Sequence, residues 1–172
     1  MHGKFKGLTL LLSLFIGCAG KPDSTRERSA RAVFQAAPQS ALKGDASFEF
    51  KQNTLTMKVR FEGLLPGSEH GMHVHETGSC QGPDFKSAGD HFNPHKAAHG
   101  GPQSKRRHLG DFGNLTADFS GTVEQEISIK GLTAQDLESL RGKSLLLHAK
   151  ADDLKTQPSG DSGGRIACGI IE

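Results

Sequence analysis

The sequence predicts an all-β fold, a sandwich or barrel of seven or eight strands, on three observations. Apolar residues recur with period two: Leu55, Met57, Val59 and Phe61 alternate with Thr54, Thr56, Lys58 and Arg60, as on a strand with one buried face. The chain holds 22 Gly and 7 Pro in 172 residues, so turns are frequent and long helices are not expected. Only one short stretch, TAQDLESL at 133–140, has helical character, with Thr133 as N-cap and Asp136 three residues on.

The elements follow in order. Phe48 and Phe50 alternate like the run that follows them, and Gln52-Asn53 between the two runs reads as a hairpin turn. Val123, Gln125, Ile127 and Ile129 repeat the alternation up to Gly131. Leu145 to Leu147 and Ile166 to Ile171 read as shorter, more continuously apolar strands. A chain of this length suits one domain with its own core. With 34% hydrophobic residues and a negative mean hydropathy it is not a polytopic membrane protein. Its 21 basic and 19 acidic residues are too balanced for nucleic-acid binding through bulk charge, so no nucleic-acid partner is expected.

The N-terminus carries its own instructions. Lys4 and Lys6 precede a mostly apolar run from Leu8 to Ile16, too short to span a bilayer comfortably, which reads as a secretory signal over 1–17. LFIGC at 14–18 resembles a bacterial lipobox, with Phe15 where that pattern prefers Leu, making Cys18 the expected lipidation site. Ordinary signal cleavage near Ala19-Gly20 is the alternative. Residues 18–30 are polar, without apolar period, and read as a flexible tether for an anchored domain at 31–172. The expectation is an exported protein on the periplasmic or cell-envelope side, touching a membrane only through that lipid. Such a compartment permits disulfides. Loss of Lys4 and Lys6 with the signal leaves 19 basic against 19 acidic residues, so net charge carries no steering information.

One stretch resists assignment. Thr77 to Gly113 has no sustained period but holds seven Gly, four His and three Pro. Conformational entropy would leave it disordered unless something pins it. Its histidines and Cys80 supply the pins. His73 and His75 sit at i and i+2 on a short strand, so both rings project from one face. His91, His99, His108 and Asp111 follow, and His148 ends the Leu145–Leu147 run. Three imidazoles with a carboxylate suit a closed zinc site, and an all-imidazole set suits copper. A core or surface role explains any one histidine, but not the set.

The motifs that hold these residues carry a resemblance. GMHVHETGSC (71–80) resembles the GxHxHExGxC signature of copper,zinc superoxide dismutases. GDHFNP (89–94) with His99-Gly100 is similar to that family's GxHxNP…HG segment, RHLGDFGN (107–114) to its HxGDxGN, and LHAKADD (147–153) to its VHxxxDD. GGRIACGII (163–171) resembles its GxRxACGVI ending. The motifs run in family order from about residue 30 to the end, in the pattern of the bacterial exported type.

The resemblance implies a Greek-key sandwich or flattened barrel of about eight antiparallel strands with long metal-binding and active-site loops. It implies one copper ion on His73, His75, His91 and His148, and one zinc ion on His91, His99, His108 and Asp111, with His91 shared. Asp152 would orient a copper-side and a zinc-side imidazole, Cys80 and Cys168 would form a disulfide, and Arg165 would attract the substrate, superoxide. His91 and Arg165 would be the catalytic residues. His70 would be a buried structural histidine and His95 an exposed one. Asn114-Leu-Thr116 is a formal glycosylation sequon, without meaning if export is bacterial. The segment between His148 and Arg165 is shorter than the electrostatic loop of the eukaryotic branch, and Asp161 stands where that branch places Asn. The rival expectation is a related lipoprotein that binds or buffers metal without dismuting. The assembly is expected to be a monomer or a homodimer.

Overall fold

The computed structural model of the chain describes residues 28–172; Cys18, the segment read as a signal and most of the segment read as a tether lie outside them. Nine strands form two antiparallel sheets. The strands are β1 (Ser29–Val33), β2 (Gln35–Ala36), β3 (Lys43–Lys51), β4 (Thr54–Glu62), β5 (Glu69–His75), β6 (Asp111–Thr116), β7 (Val123–Lys130), β8 (Ser144–His148) and β9 (Arg165–Ile170). One sheet runs β1-β3-β4-β7 and the other β2-β9-β8-β5-β6. The chain crosses between sheets after β1, β2, β4, β6 and β7, and the last three crossings make the Greek-key arrangement expected.

The period-two runs are where the alternation puts them. In β4 the residues Leu55, Met57, Val59 and Phe61 are buried and face Phe48 and Ala46 of β3 across the β3–β4 ladder. Lys51 pairs with Thr54, and Gln52 and Asn53 both take positive φ, 48° and 58°, which makes the tight turn that matches strand twist. The helix α1 (Ala134–Leu140) starts with a full capping box: Thr133 Oγ1 accepts from the Asp136 N–H while the Asp136 side chain accepts from the Thr133 N–H. It buries Leu137 and Leu140 against one core shared by both sheets.

The structure departs from the expectation in two places. The ninth strand is the two-residue β2, which lets the N-terminal chain pass from one sheet to the other and pair with Cys168 and Ala167. Strand β6 begins inside the stretch read as having no period. Its alternation is hidden because Gly113 takes φ 77° and the β5–β6 register shifts between Gly71 and His73, so Phe112 and Leu115, three residues apart, are both buried. Strand β1 starts at Ser29.

On one side, Arg31 and Glu172 exchange backbone hydrogen bonds and close the two sheets into a flattened barrel. On the other side lie the edges β6 and β7, which no backbone ladder joins among the described residues. The long 76–110 connection folds over the face of β5 and β8, and the 149–164 segment lies beside it. That corner holds the histidines.

Candidate metal centre

Strand β5 carries His73 and His75, and β8, paired with it, ends at His148. A bridge between His75 and His91 brings the long connection onto the same strand end. Ligand atoms of His73, His75, His91 and His148 all lie within 4.8 Å of one another, and so do those of His91, His99, His108 and Asp111. His91 belongs to both groups. All seven side chains are buried.

Hydrogen bonding decides which ring nitrogen faces inward. A carbonyl oxygen only accepts, so Nδ1 of His75, 2.9 Å from the Gly89 carbonyl, carries the proton and Nε2 keeps its lone pair. His148 does the same with the Gly163 carbonyl at 3.3 Å. The two free Nε2 atoms then face each other at 3.4 Å, a repulsive arrangement without a cation. Asp152 takes Nε2 of His73 at 2.8 Å through Oδ2 and Nε2 of His99 at 2.9 Å through Oδ1. That leaves Nδ1 of His73 and Nε2 of His91 buried without a hydrogen-bond partner. Two orphaned nitrogens in a native interior need an explanation. Soft-to-borderline cations supply it, since neutral imidazole is their usual ligand.

The electrostatics agree. Burial, aided by neighbouring imidazoles, pushes His73 down to about 4 and His148 down to about 3, and lowers His75 well below its ordinary value. These rings are neutral at physiological pH, with lone pairs available. Burial alone would raise Asp111 and Asp152, yet hydrogen bonds from His91 and His99 to Asp111, and from His73 and His99 to Asp152, hold both well below the usual carboxylate range. Burial opposes a charge on His99, but the two carboxylates outweigh it and raise that ring to about 9. One group thus offers only imidazoles, with His73, His75 and His148 neutral. The other has a fixed anion, Asp111 Oδ1, which lies 3.0 Å from His91 Nδ1, 3.1 Å from His99 Nδ1 and 3.3 Å from His108 Nδ1.

The family described as "Copper/zinc superoxide dismutase (SODC)" matches residues 42–171, which includes every residue of both groups. The chain belongs to the copper/zinc superoxide dismutase family. Its relatives include an extracellular superoxide dismutase [Cu-Zn] of Brugia pahangi, 38% identical over 139 residues that cover 76% of this chain and 69% of that one. An extracellular superoxide dismutase [Cu-Zn] of Caenorhabditis elegans is 34% identical over 170 residues, 95% of this chain and 76% of its own. Superoxide dismutase [Cu-Zn] 1 of Aquifex aeolicus (strain VF5) is 35% identical over 134 residues, 75% and 79% of the two chains.

Other residues of this family member lie around the same corner. Arg165, half-buried at the start of β9, donates to the carbonyls of Phe85 and Gly89, both at 2.7 Å. Cys80 and Cys168 form a disulfide across 88 residues of sequence, tying the long connection to β9. His70 is buried, with Nδ1 donating to the His148 carbonyl at 2.7 Å and Nε2 2.7 Å from Ser68 Oγ. His95 is exposed. Asp153 is exposed and accepts from the backbone N–H groups of Lys155 and Thr156, which shapes a turn.

Three further residues brace this corner, a role that sequence reasoning assigned to none of them. Arg107 points its Nη1 at the carbonyls of His108, Leu109 and Asp111, at 2.7, 3.1 and 3.4 Å, and so gathers the turn that carries two of the ligating types. Its place beside His108 in RHLGDFGN was the available signal. Asn114 spends its side-chain amide on the backbone of Asp152, which leaves the sequon's nitrogen engaged. Gln157 does the same to the backbone of His99, and nothing in its sequence setting marks it.

Proposed function

We propose that the chain dismutes superoxide, converting two superoxide anions and two protons into one dioxygen and one hydrogen peroxide. Copper would be held by His73, His75, His91 and His148, and zinc by His91, His99, His108 and Asp111. The observation that carries this reading is His91: one buried ring belongs to both donor groups, and its Nε2 has no hydrogen-bond partner while its Nδ1 faces Asp111. When bound, copper supplies a one-electron couple and zinc a redox-inert cation that fixes its ligands.

The protein's own part is orientation, proton handling and anion docking. Asp152 holds His73 and His99 at fixed angles, so an all-imidazole group and a carboxylate-bearing group keep one relative geometry. Nε2 of His91 holds a proton between the two half-reactions and passes it to the peroxide being formed, solvent providing the other. Arg165 is kept rigid by two carbonyls and offers its charge to the incoming anion. The local field at that guanidinium, rather than net charge, draws the anion in.

Export is supported by the basic-then-apolar N-terminus, by the disulfide, and by two relatives named extracellular. Cys18 at the end of LFIGC supports attachment of the mature chain to a membrane through a lipid on the periplasmic or cell-envelope side. The deciding experiment is metal analysis of the exported protein with a superoxide-consumption assay. One copper and one zinc per chain with fast turnover is expected; zinc alone without turnover would overturn the proposal in favour of metal binding without dismutation. Mass spectrometry of the mature N-terminus checks the lipid on Cys18.

A further inference from the structure

Two glutamines stand where neither the fold nor the metal groups explain them. Gln125 occupies a core-facing position of β7, between the buried Val123 and Ile127, where alternation calls for an apolar residue. Its side chain reaches across the unpaired seam to β6: Nε2 donates to the Asn114 carbonyl at 3.0 Å, and Oε1 accepts from the Thr116 N–H at 3.3 Å. One amide thus supplies the donor and acceptor that a neighbouring strand would have supplied. Gln157 repeats the device on the long connection, which has no ladder of its own at that point. Its Oε1 accepts from the His99 N–H at 2.7 Å and its Nε2 donates to the His99 carbonyl at 3.1 Å.

Both amides lead to the same place. Asn114, held by Gln125, clamps the Asp152 backbone: its Oδ1 accepts from the Asp152 N–H at 2.7 Å and its Nδ2 donates to the Asp152 carbonyl at 2.8 Å. The Asp152 carboxylate then holds His99. His99 is therefore fixed at its backbone by Gln157 and at its ring by a residue that Gln125 secures from the opposite sheet. We propose that Gln157 and Gln125 are positioning residues for the zinc-side ligands, Gln157 directly on His99 and Gln125 through Asn114 and Asp152. Their polar side chains replace missing strand pairing beside the segments that carry the zinc-side residues. The proposal rests on the zinc role given to His99, and wild-type protein that takes up no zinc would overturn that role rather than the clamps.

The test compares Gln157→Met and Gln125→Met, which keep length and lose both hydrogen bonds, with Thr56→Val. That control removes a side-chain hydrogen bond of 3.0 Å to Ser128, between β4 and β7, that leads to no ligand. Metal-loaded proteins are challenged with a chelator and zinc release is followed, and Co(II) is placed in the zinc position to read ligand geometry from its visible spectrum. Loss of a partner that orients a ligand costs tens-fold in metal retention, so release should quicken about tenfold in Gln157→Met and about threefold in Gln125→Met. Both should shift the Co(II) bands, while Thr56→Val changes neither. A wild-type release rate and spectrum in either glutamine variant overturns that residue's role, as does a change in Thr56→Val of equal size at an equal drop in Tm.

Discussion

Arg165 and His75 share one acceptor: the Gly89 carbonyl takes a hydrogen bond from Nη2 of Arg165 at 2.7 Å and another from Nδ1 of His75 at 2.9 Å. The same oxygen sets the tautomer of an imidazole proposed to hold copper and the position of the guanidinium proposed to dock the anion. Arg165→Ala should therefore lower kcat/KM by about tenfold or more, the equivalent of one charge-assisted hydrogen bond of about 1.5–3 kcal/mol, with both metals retained. Its rate should also depend less on ionic strength, because exposed charge is what salt screens. An unaltered salt slope would count against a docking role.

His148→Ala removes a ring that serves the all-imidazole group and no other. Turnover should vanish and copper content fall, while zinc content stays near one per chain. Measured by metal analysis beside the activity assay, undiminished turnover would sink the assignment.

Asp152→Ala should act on both groups at once, because its two oxygens hold His73 and His99. Zinc affinity should fall by about ten- to a hundredfold, the usual range for a partner that orients ligands. Competition titration against a chelator of known affinity reads it.

Gly160 is tied to this carboxylate by space. It takes φ 65°, and a Cβ there would lie 1.8 Å from Asp152 Oδ1 and 2.7 Å from His99 Nε2. Gly160→Ala should push both groups apart, cost about 1–3 kcal/mol of stability and lower zinc retention. Thermal unfolding of the metal-free and metal-loaded protein separates the two effects: the loaded form should lose more.

The Cys80–Cys168 bond closes 88 residues of chain, for which the chain-entropy account gives about 4–5 kcal/mol. Cys168→Ser should lower Tm by several degrees or more. It should also depress turnover beyond the stability loss, because the connection it releases carries the Phe85 and Gly89 carbonyls that hold Arg165. Turnover at a temperature where the variant is fully folded distinguishes the two.

The sequence by itself determined the strands that alternate in period two, the capped helix, the His-x-His pair on one strand face and the ordered motifs that name the family. Those features are local: a strand face or a cap is written within a few residues, and spacing alone expresses it. Only the tertiary structure decided which nitrogen of each ring faces inward. Tautomers depend on acceptors remote in sequence, such as the Gly163 carbonyl for His148 and the Asp152 carboxylate for His73. Strand β6 stayed hidden because a residue with positive φ, Gly113, breaks the very period that reveals strands. Gln125 shows the same limit. Its sequence marks only a polar residue in an apolar row, and its partner lies across a seam that exists once two sheets have closed over one core.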